Sequence, residues 1–301
     1  MSHVNAGPGL PRRHRPLGSS GENQTVSVDH YENFPVASVL CPPALRPAVV
    51  AIYHFARTAD DIADEGQAPA AARLADLAEF RSDLNAVAAG RPTSGRWPQV
   101  FGPLGLRLRQ FALPPKLLND LLDAFEQDVH NPPYPDRAAL LDYCRRSANP
   151  IGRLLLHLYG VSDAASLRRA DAICSALQLI NFWQDLSVDL PRSRVYVPHD
   201  ALHAAGLTLE QLRSGIDGPA SQQLVRGLCG WAEALMHEGA PLVFRLPGRG
   251  GWELRLVVQG GLRILEKIRA MNHATLQQRP TLTAIDAPRL VWRAMRMRRA
   301  A

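Results

Sequence analysis

Helical periodicity extends over almost the whole chain from Pro42 onward and limits the folds open to it. Leu118, Leu121, Leu122 and Phe125, for example, follow the i, i+3, i+4, i+7 spacing that places apolar side chains on one face of a helix. Alternating β-type runs bounded by hairpin turns are missing. The sequence therefore predicts an all-α fold.

Turn residues divide this pattern into separate helices. The predicted helices span 44–65, 70–89, 115–129, 137–159, 166–189, 208–213, 219–240, 252–272 and 286–298. Pro150 is expected to kink the fourth of them. Gly248, Gly250 and Gly251 predict a helix–helix turn rather than a nucleotide loop, because no strand precedes them. No segment resembles an interdomain linker, so residues 29–301 are predicted to form one helical domain after a disordered basic tail over residues 1–28.

Composition excludes several classes of protein. No apolar run approaches the roughly 18 residues of a membrane span, and the N-terminus lacks the apolar core of a secretory signal, so we expect a cytoplasmic protein. The four cysteines are too scattered for a disulfide framework or a zinc site. The net charge of +6 comes almost entirely from arginines, which suit phosphate groups. Since these arginines are not interleaved with aromatic residues, nucleic-acid binding is not expected.

The first chemically informative segment is an acidic helix end before Gly66. Its polar side chains fall at helical spacings of three and four and share one stripe, which consists of Tyr53, Arg57, Asp60, Asp61 and Asp64. Acidic residues in a last helical turn lie at the negative end of the helix macrodipole, which is unfavourable. A bound cation would reverse that penalty.

A second stripe of the same kind ends before Leu190–Pro191. It consists of Gln178, Asn181, Asp185 and Asp189, spaced by three, four and four. Carboxylate and amide oxygens without His or Cys are hard ligands that suit Mg²⁺. One such motif is most often a solvated surface, but two of them, the second followed by Arg192, Arg194 and Tyr196, indicate a magnesium and diphosphate site.

These motifs resemble the squalene/phytoene synthase family over roughly residues 29–270. The resemblance rests on Arg57–Asp64, Tyr143–Cys144 with Gly152, and Asn181–Asp189 followed by Arg194–Pro198. It implies the isoprenoid-synthase helical bundle, with both acidic ends facing a central cavity. Mg²⁺ would be held by Asp60, Asp64, Asn181, Asp185 and Asp189.

Other residues resemble the hydroxysqualene synthases of the bacterial hopanoid pathway, namely His30–Pro35, Arg145–Pro150 and Gln259–Lys267. That branch implies conversion of presqualene diphosphate to hydroxysqualene and diphosphate without NADPH. Expected roles are catalysis for Tyr143 and contact with substrate or diphosphate for six residues: Asn33, Tyr53, Arg57, Gln178, Arg194 and Tyr196. The chain departs from the wider family at Gln184, where an arginine is frequent.

Two other functions stay open at this stage. One is condensation of two farnesyl or geranylgeranyl diphosphates to presqualene diphosphate or phytoene, and the other is a non-catalytic assembly protein of the same fold at a membrane surface. The basic segment 286–298 bears on this, because it either lies on an anionic membrane at the inner face or packs on the bundle with a solvated arginine face. The sequence does not determine the oligomeric state.

Overall fold

The computed structural model describes residues 40–298 and contains only helices within that range, which confirms the all-α prediction. The α-helices are α1 (Arg46–Asp64), α2 (Ala70–Ala88), α3 (Pro98–Phe111), α4 (Pro115–Asp128), α5 (Arg137–Ser147), α6 (Asn149–Leu158), α7 (Ala164–Gln184), α8 (Leu186–Asp189), α9 (His199–Ala204), α10 (Leu209–Arg213), α11 (Pro219–Gly239), α12 (Gly248–Ala270) and α13 (Ala287–Arg296). Short 3₁₀ turns follow α8, follow α11 and precede α13. The predicted tail over residues 1–28 and the predicted contact Asn33 lie outside the described residues.

Two apolar clusters form the core. One joins α1–α4 around interlocking aromatic rings, in which Phe80 lies 4.7 Å from Phe101 and 5.2 Å from Phe55 between ring centroids. The other surrounds α7, which packs against α11 and contributes the fully buried Trp183. Buried aromatic rings of this size supply much of the apolar area that stabilises a helical bundle. The four cysteine thiols are free, and all but Cys174 are fully buried.

The middle helix is interrupted before Pro150, so the prediction of one kinked helix over 137–159 was wrong. Ala148 forms a one-residue turn with φ −107° and ψ −44° after α5 ends at Ser147, and α6 begins at Asn149. Proline has no N–H to donate to the preceding turn, and its ring fits the start of a helix instead. The new helix begins with a buried bond, because Ser175 Oγ donates to Asn149 Oδ1 at 3.0 Å.

Two helices were missed, and a predicted turn was wrong. Helix α3 contains Pro103 and α9 has six residues, so neither gives a long periodic signal. Gly250 lies in the first turn of α12 rather than in a helix–helix turn. A Cβ at this position would lie 2.6 Å from the Tyr159 ring, so the glycine allows α12 to approach α6 closely.

The basic helix α13 packs against α12 of the bundle. It also contacts the 3₁₀ turn Ala284–Asp286 that precedes it in the chain. Arg289 and Arg293 both pair with Glu266 of α12. Arg289 and Arg296 are exposed, as expected for a packed helix with a solvated arginine face, whereas Arg293 is half-buried. Among residues 40–298, no helix combines the length and apolar character that crossing a membrane requires.

Candidate active site

A cavity of about 550 Å³ lies between the two apolar clusters. It is lined by side chains from α1, α4, α5, α6, α7 and α12 and from the segment after α8. One part of its wall is apolar and includes Val49, Ile52, Phe125 and Leu155. Another part is strongly polar, and it contains the two acidic motifs.

The first acidic motif ends α1. Asp60 and Asp64 line the cavity, whereas Asp61 is more exposed and pairs with Arg57 at 2.6 Å. Arg57 also lies 3.3 Å from Asp60. The end of the helix is held by Arg73 of α2, whose guanidinium donates to the carbonyl oxygens of Ala63 and residue 66, each at 2.7 Å. A cation that caps free carbonyls offsets part of the cost of placing acids at this helix end.

The second acidic motif is divided between two helices, although the sequence predicted one helix over 166–189. Helix α7 ends at Gln184, Asp185 leaves helical geometry with ψ 11°, and α8 carries Asp189. The backbone N–H of Asp189 still donates to the carbonyl of Asp185 at 2.9 Å. Asp185, Asp189, Asn181 and Gln178 all line the cavity.

Arg194 joins the two motifs. Its Nη2 lies 2.9 Å from Asp64 Oδ2, and its backbone N–H donates to the carbonyl of Asp189 at 3.0 Å. The neighbouring Val195 N–H donates to Asn131 Oδ1 at 3.0 Å, which fixes the segment after α8 against the end of α4. The acidic ends of α1 and α8 therefore face each other across the cavity.

The carboxylates of the two motifs raise one another's pKa values, because their negative charges repel. Burial raises the pKa of Asp60 to about 7, and repulsion from Asp64 adds to the rise. Burial also raises the pKa of Asp189 to about 7, with repulsion from Asp185 as the second cause. The pKa of Asp64 is raised by burial, and Arg194 opposes that rise.

This donor set fits Mg²⁺, because its oxygens are hard ligands whose ionisation a cation would favour. Among residues 40–298, no three His, Cys, Asp or Glu side chains converge closely enough to hold a metal ion by themselves. Mg²⁺ usually takes one or two carboxylates and completes its shell with water and substrate phosphate oxygens. The separated aspartate pairs are suited to that mode.

An aromatic cluster lines the wall beside the acidic ends. The Tyr196 ring stacks on Phe182 with centroids 3.8 Å apart, and Tyr143 lies about 6 Å from both. The Tyr143 hydroxyl donates to Asp128 Oδ2 at 2.7 Å. Because its hydrogen is used in this bond, the lone pairs of the Tyr143 oxygen can face positive charge in the cavity.

Asp128 was missed by sequence analysis, since no motif surrounds it at the end of α4. Burial raises its pKa to about 8, while the hydrogen bond from Tyr143 opposes the rise. Its Oδ1 is buried and has no hydrogen-bond partner in the described part of the chain. Asp128 thus fixes the Tyr143 hydroxyl from behind and retains one free acceptor.

Arg279 was also missed, because it follows α12 in a segment without periodicity. It pairs with Asp185 through two nitrogens, with Nη2 lying 3.3 Å from Oδ2. Gln184 anchors that segment, since its Nε2 donates to the Pro280 carbonyl at 2.8 Å. Gln184, where this chain departs from the wider family, is therefore buried, and it positions Arg279 at the cavity.

All but one of the predicted site residues line this single cavity. They are Tyr53, Arg57, Asp60, Asp64, Tyr143, Gln178, Asn181, Asp185, Asp189, Arg194 and Tyr196. Asn33 lies outside the described residues, so its contact with substrate stays a prediction. The structure adds Asp128 and Arg279 to the lining and confirms that Arg192, which follows the second motif, lines the cavity.

Known proteins resemble this chain over most of its length. The sequence profile described as squalene/phytoene synthase matches residues 28–286. A hydroxysqualene synthase from Rhodopseudomonas palustris is 33% identical over 272 residues, which cover 90% of this chain and 90% of the relative. A presqualene diphosphate synthase from Zymomonas mobilis is 32% identical over 216 residues, which cover 71% of this chain and 72% of the relative. Among solved structures, squalene synthase HpnC from Alicyclobacillus acidocaldarius has a TM-score of 0.74 at 34% identity, over 81% of this chain and 90% of that one. The profile match includes both acidic motifs and ends before α13.

Proposed function

This chain belongs to the squalene/phytoene synthase family, and we propose that it converts presqualene diphosphate to hydroxysqualene and diphosphate. The relative from Rhodopseudomonas palustris supports this reaction, because it bears the name hydroxysqualene synthase and matches over 90% of both chains. The single observation that carries the proposal is the contact of Arg194 with Asp64, which brings a phosphate-binding cation and both acidic helix ends to one end of an apolar cavity.

Departure of diphosphate is the first step. The bond between the substrate carbon and the ester oxygen breaks, and its electron pair leaves with diphosphate. Arg57, Arg194 and Arg279 would donate charge-assisted hydrogen bonds to the departing oxygens. Asp60, Asp64, Asn181, Asp185 and Asp189 would hold Mg²⁺, which supplies Lewis-acid neutralisation of the leaving group.

The cation left on the hydrocarbon is then protected and captured. The aromatic faces of Tyr196 and Phe182 and the lone pairs of the Tyr143 oxygen stabilise positive charge, while the apolar wall keeps most water away. One water attacks the cation and loses a proton. The oxygens of the departed diphosphate can accept this proton, while the hydrogen bond to Asp128 fixes the Tyr143 oxygen in the cavity wall. No carbon is reduced, so the reaction needs no NADPH.

The test is incubation of the purified protein with presqualene diphosphate and Mg²⁺, without NADPH, in water enriched in ¹⁸O. We expect hydroxysqualene that carries ¹⁸O, identified by mass, together with released diphosphate. Asp60→Ala serves as the inactive control. An unlabelled hydrocarbon product, or turnover of farnesyl diphosphate alone, would refute the assignment.

A second candidate is the condensation of two farnesyl diphosphates to presqualene diphosphate. The similarity to the presqualene diphosphate synthase of Zymomonas mobilis favours it. The same incubation with farnesyl diphosphate separates the two, because condensation yields a diphosphate ester of twice the carbon number and incorporates no oxygen from water.

A further inference from the structure

Helix α13 packs on the bundle and still exposes several apolar side chains. Its inward side carries the buried Ala294, Met297 just after the helix packs against the core, and Arg289 and Arg293 pair with Glu266 of α12. Surface helices normally turn their apolar stripe toward the core and their charges toward water. Three large apolar side chains of α13 nevertheless stay on the outside.

The outer face of α13 consists of Val291, Trp292 and Met295, whose exposed fractions are 47%, 52% and 56%. These positions differ by one, three and four residues, so they form a single stripe. Nine large apolar side chains are exposed in the described chain, and five of them lie between Leu282 and Met295. Such clustering marks an interaction surface, whereas single exposed apolar residues need no explanation.

Trp252 extends this surface onto α12. Its ring is 43% exposed and lies 4.7 Å from the Arg255 guanidinium. The same guanidinium donates to the carbonyl of Ala294 at 3.4 Å, so Trp252 lies beside α13. The surface therefore presents two indole rings and two aliphatic side chains.

The charge around this surface indicates the kind of partner that it binds. The sequence after Asp286 contains five arginines and no acidic residue. Arg296 stacks on Trp292 at 4.7 Å, and neither Arg296 nor Arg298 pairs with an acidic side chain among residues 40–298. Indole rings flanked by arginines match the headgroup zone of a membrane, where the rings reach the apolar boundary and the cations reach anionic lipid.

The surface also adjoins the apolar end of the cavity. Trp252 precedes Glu253 and Leu254, which line the cavity, and the Glu253 charge acts on Cys41 just before α1. Asp64 lies at the opposite end of that helix, which has 19 residues and is therefore about 28 Å long. A membrane against Trp252 would face the end of the cavity that is far from the diphosphate site.

We propose that the outer face of α13, together with Trp252, docks on the surface of an anionic lipid membrane. Charge complementarity and the exposed indole rings carry this inference. Helix α13 lies outside the region matched by the family profile, whereas Trp252 lies within it. Docking does not depend on the proposed reaction, because it can be measured without turnover.

The test uses the full-length protein and sedimentation with vesicles of phosphatidylcholine, with and without phosphatidylglycerol, at low and high salt. We expect binding only to the anionic vesicles and weaker binding at high salt. Trp292→Ser with Met295→Ser, and separately Arg296→Gln with Arg298→Gln, should each weaken binding about tenfold or more. Leu106→Ser with Ile216→Ser removes equally exposed apolar side chains elsewhere and should leave binding unchanged.

Circular dichroism and the melting temperature of each variant verify folding, and turnover in detergent should match the wild type. Equal vesicle binding by all variants would overturn the proposal, as would binding that ignores lipid charge and salt. A wild-type oligomer that the Trp292→Ser and Met295→Ser changes dissociate, without vesicle binding by either form, would show instead that this face binds protein.

Discussion

Replacing Asp60 by asparagine is expected to stabilise the metal-free protein while removing activity. Asp60 is only 26% exposed at its side chain, and its pKa is raised from 3.8 to about 7 by burial and then by repulsion from Asp64. Ionised Asp60 is therefore unfavourable in the folded state. Asparagine has nearly the same shape and avoids that charge, but it is a poorer ligand for a cation.

The size of the effect follows from the pKa. A rise from 3.8 to about 7 corresponds to about 4 kcal/mol of destabilisation once Asp60 is ionised. Because water still reaches the side chain and screens part of this charge, we expect a gain of about 1–2 kcal/mol in the free energy of unfolding. For a domain of this size, the melting temperature should rise by roughly 2–4 °C.

The pH dependence has a definite sign. Asp60 is protonated in both states below its unfolded pKa of 3.8, so wild type and variant should differ little there. As pH rises toward about 7, the unfolded chain has lost a proton that the folded protein retains, and the wild-type free energy of unfolding falls. The gain from Asp60→Asn should grow over this window and stay constant above it.

Thermal denaturation in chelator at a series of pH values measures the stability difference between wild type and Asp60→Asn. With Mg²⁺ and inorganic diphosphate present, the wild type should become the more stable of the two. Asp61→Asn is the matched control, because Asp61 is 43% exposed and pairs with Arg57. The control should retain activity and show no comparable gain. An Asp60→Asn variant that is less stable than wild type above pH 7 in chelator would refute the reasoning.

Three further outcomes are expected. Asp128→Leu should lower kcat about 100-fold because the Tyr143 hydroxyl loses its hydrogen-bond acceptor. Asp128→Asn retains an acceptor, so its kcat should fall much less, and steady-state kinetics measure both variants. Arg279→Gln should weaken binding of inorganic diphosphate about tenfold by calorimetry, and Gln184→Leu should reproduce part of that loss because it releases the segment that carries Arg279. Removal of Mg²⁺ by chelator should stop product formation while the helical circular dichroism stays intact, and full activity without metal would contradict the proposed chemistry.

Sequence analysis located the parts of the site that are encoded locally. Asp60 and Asp64 lie four residues apart on α1, where helical geometry brings them to one face. Asp185 and Asp189 have the same spacing across the break between α7 and α8, where the hydrogen bond from the Asp189 N–H to the Asp185 carbonyl keeps one helical turn. Asp128 and Arg279 have no local signature. Arg279 pairs with Asp185 from a distance of 94 residues along the chain, so only the tertiary fold brings them together.

Helix boundaries were least predictable where proline and glycine interrupt the apolar pattern. Helix α3 includes Pro103, and its Gly105 is needed because a Cβ there would lie 2.4 Å from Val87 of α2. Gly105 disfavours a helix locally, but α3 tolerates it because it allows close packing against α2. The orientation of α13 was not predictable either, since its contacts with α12 decide which face of the helix is buried.

The arginines at the acidic helix ends make loading of the site an exchange of counter-ions. Arg57, Arg194 and Arg279 each hold an aspartate of the motifs in the metal-free protein. A divalent cation that takes an aspartate releases its arginine, and an arginine that turns to diphosphate releases its aspartate. Cation binding thus frees an arginine for diphosphate, and diphosphate binding frees an aspartate for the cation. Each ligand should therefore raise the affinity for the other, and by the same factor.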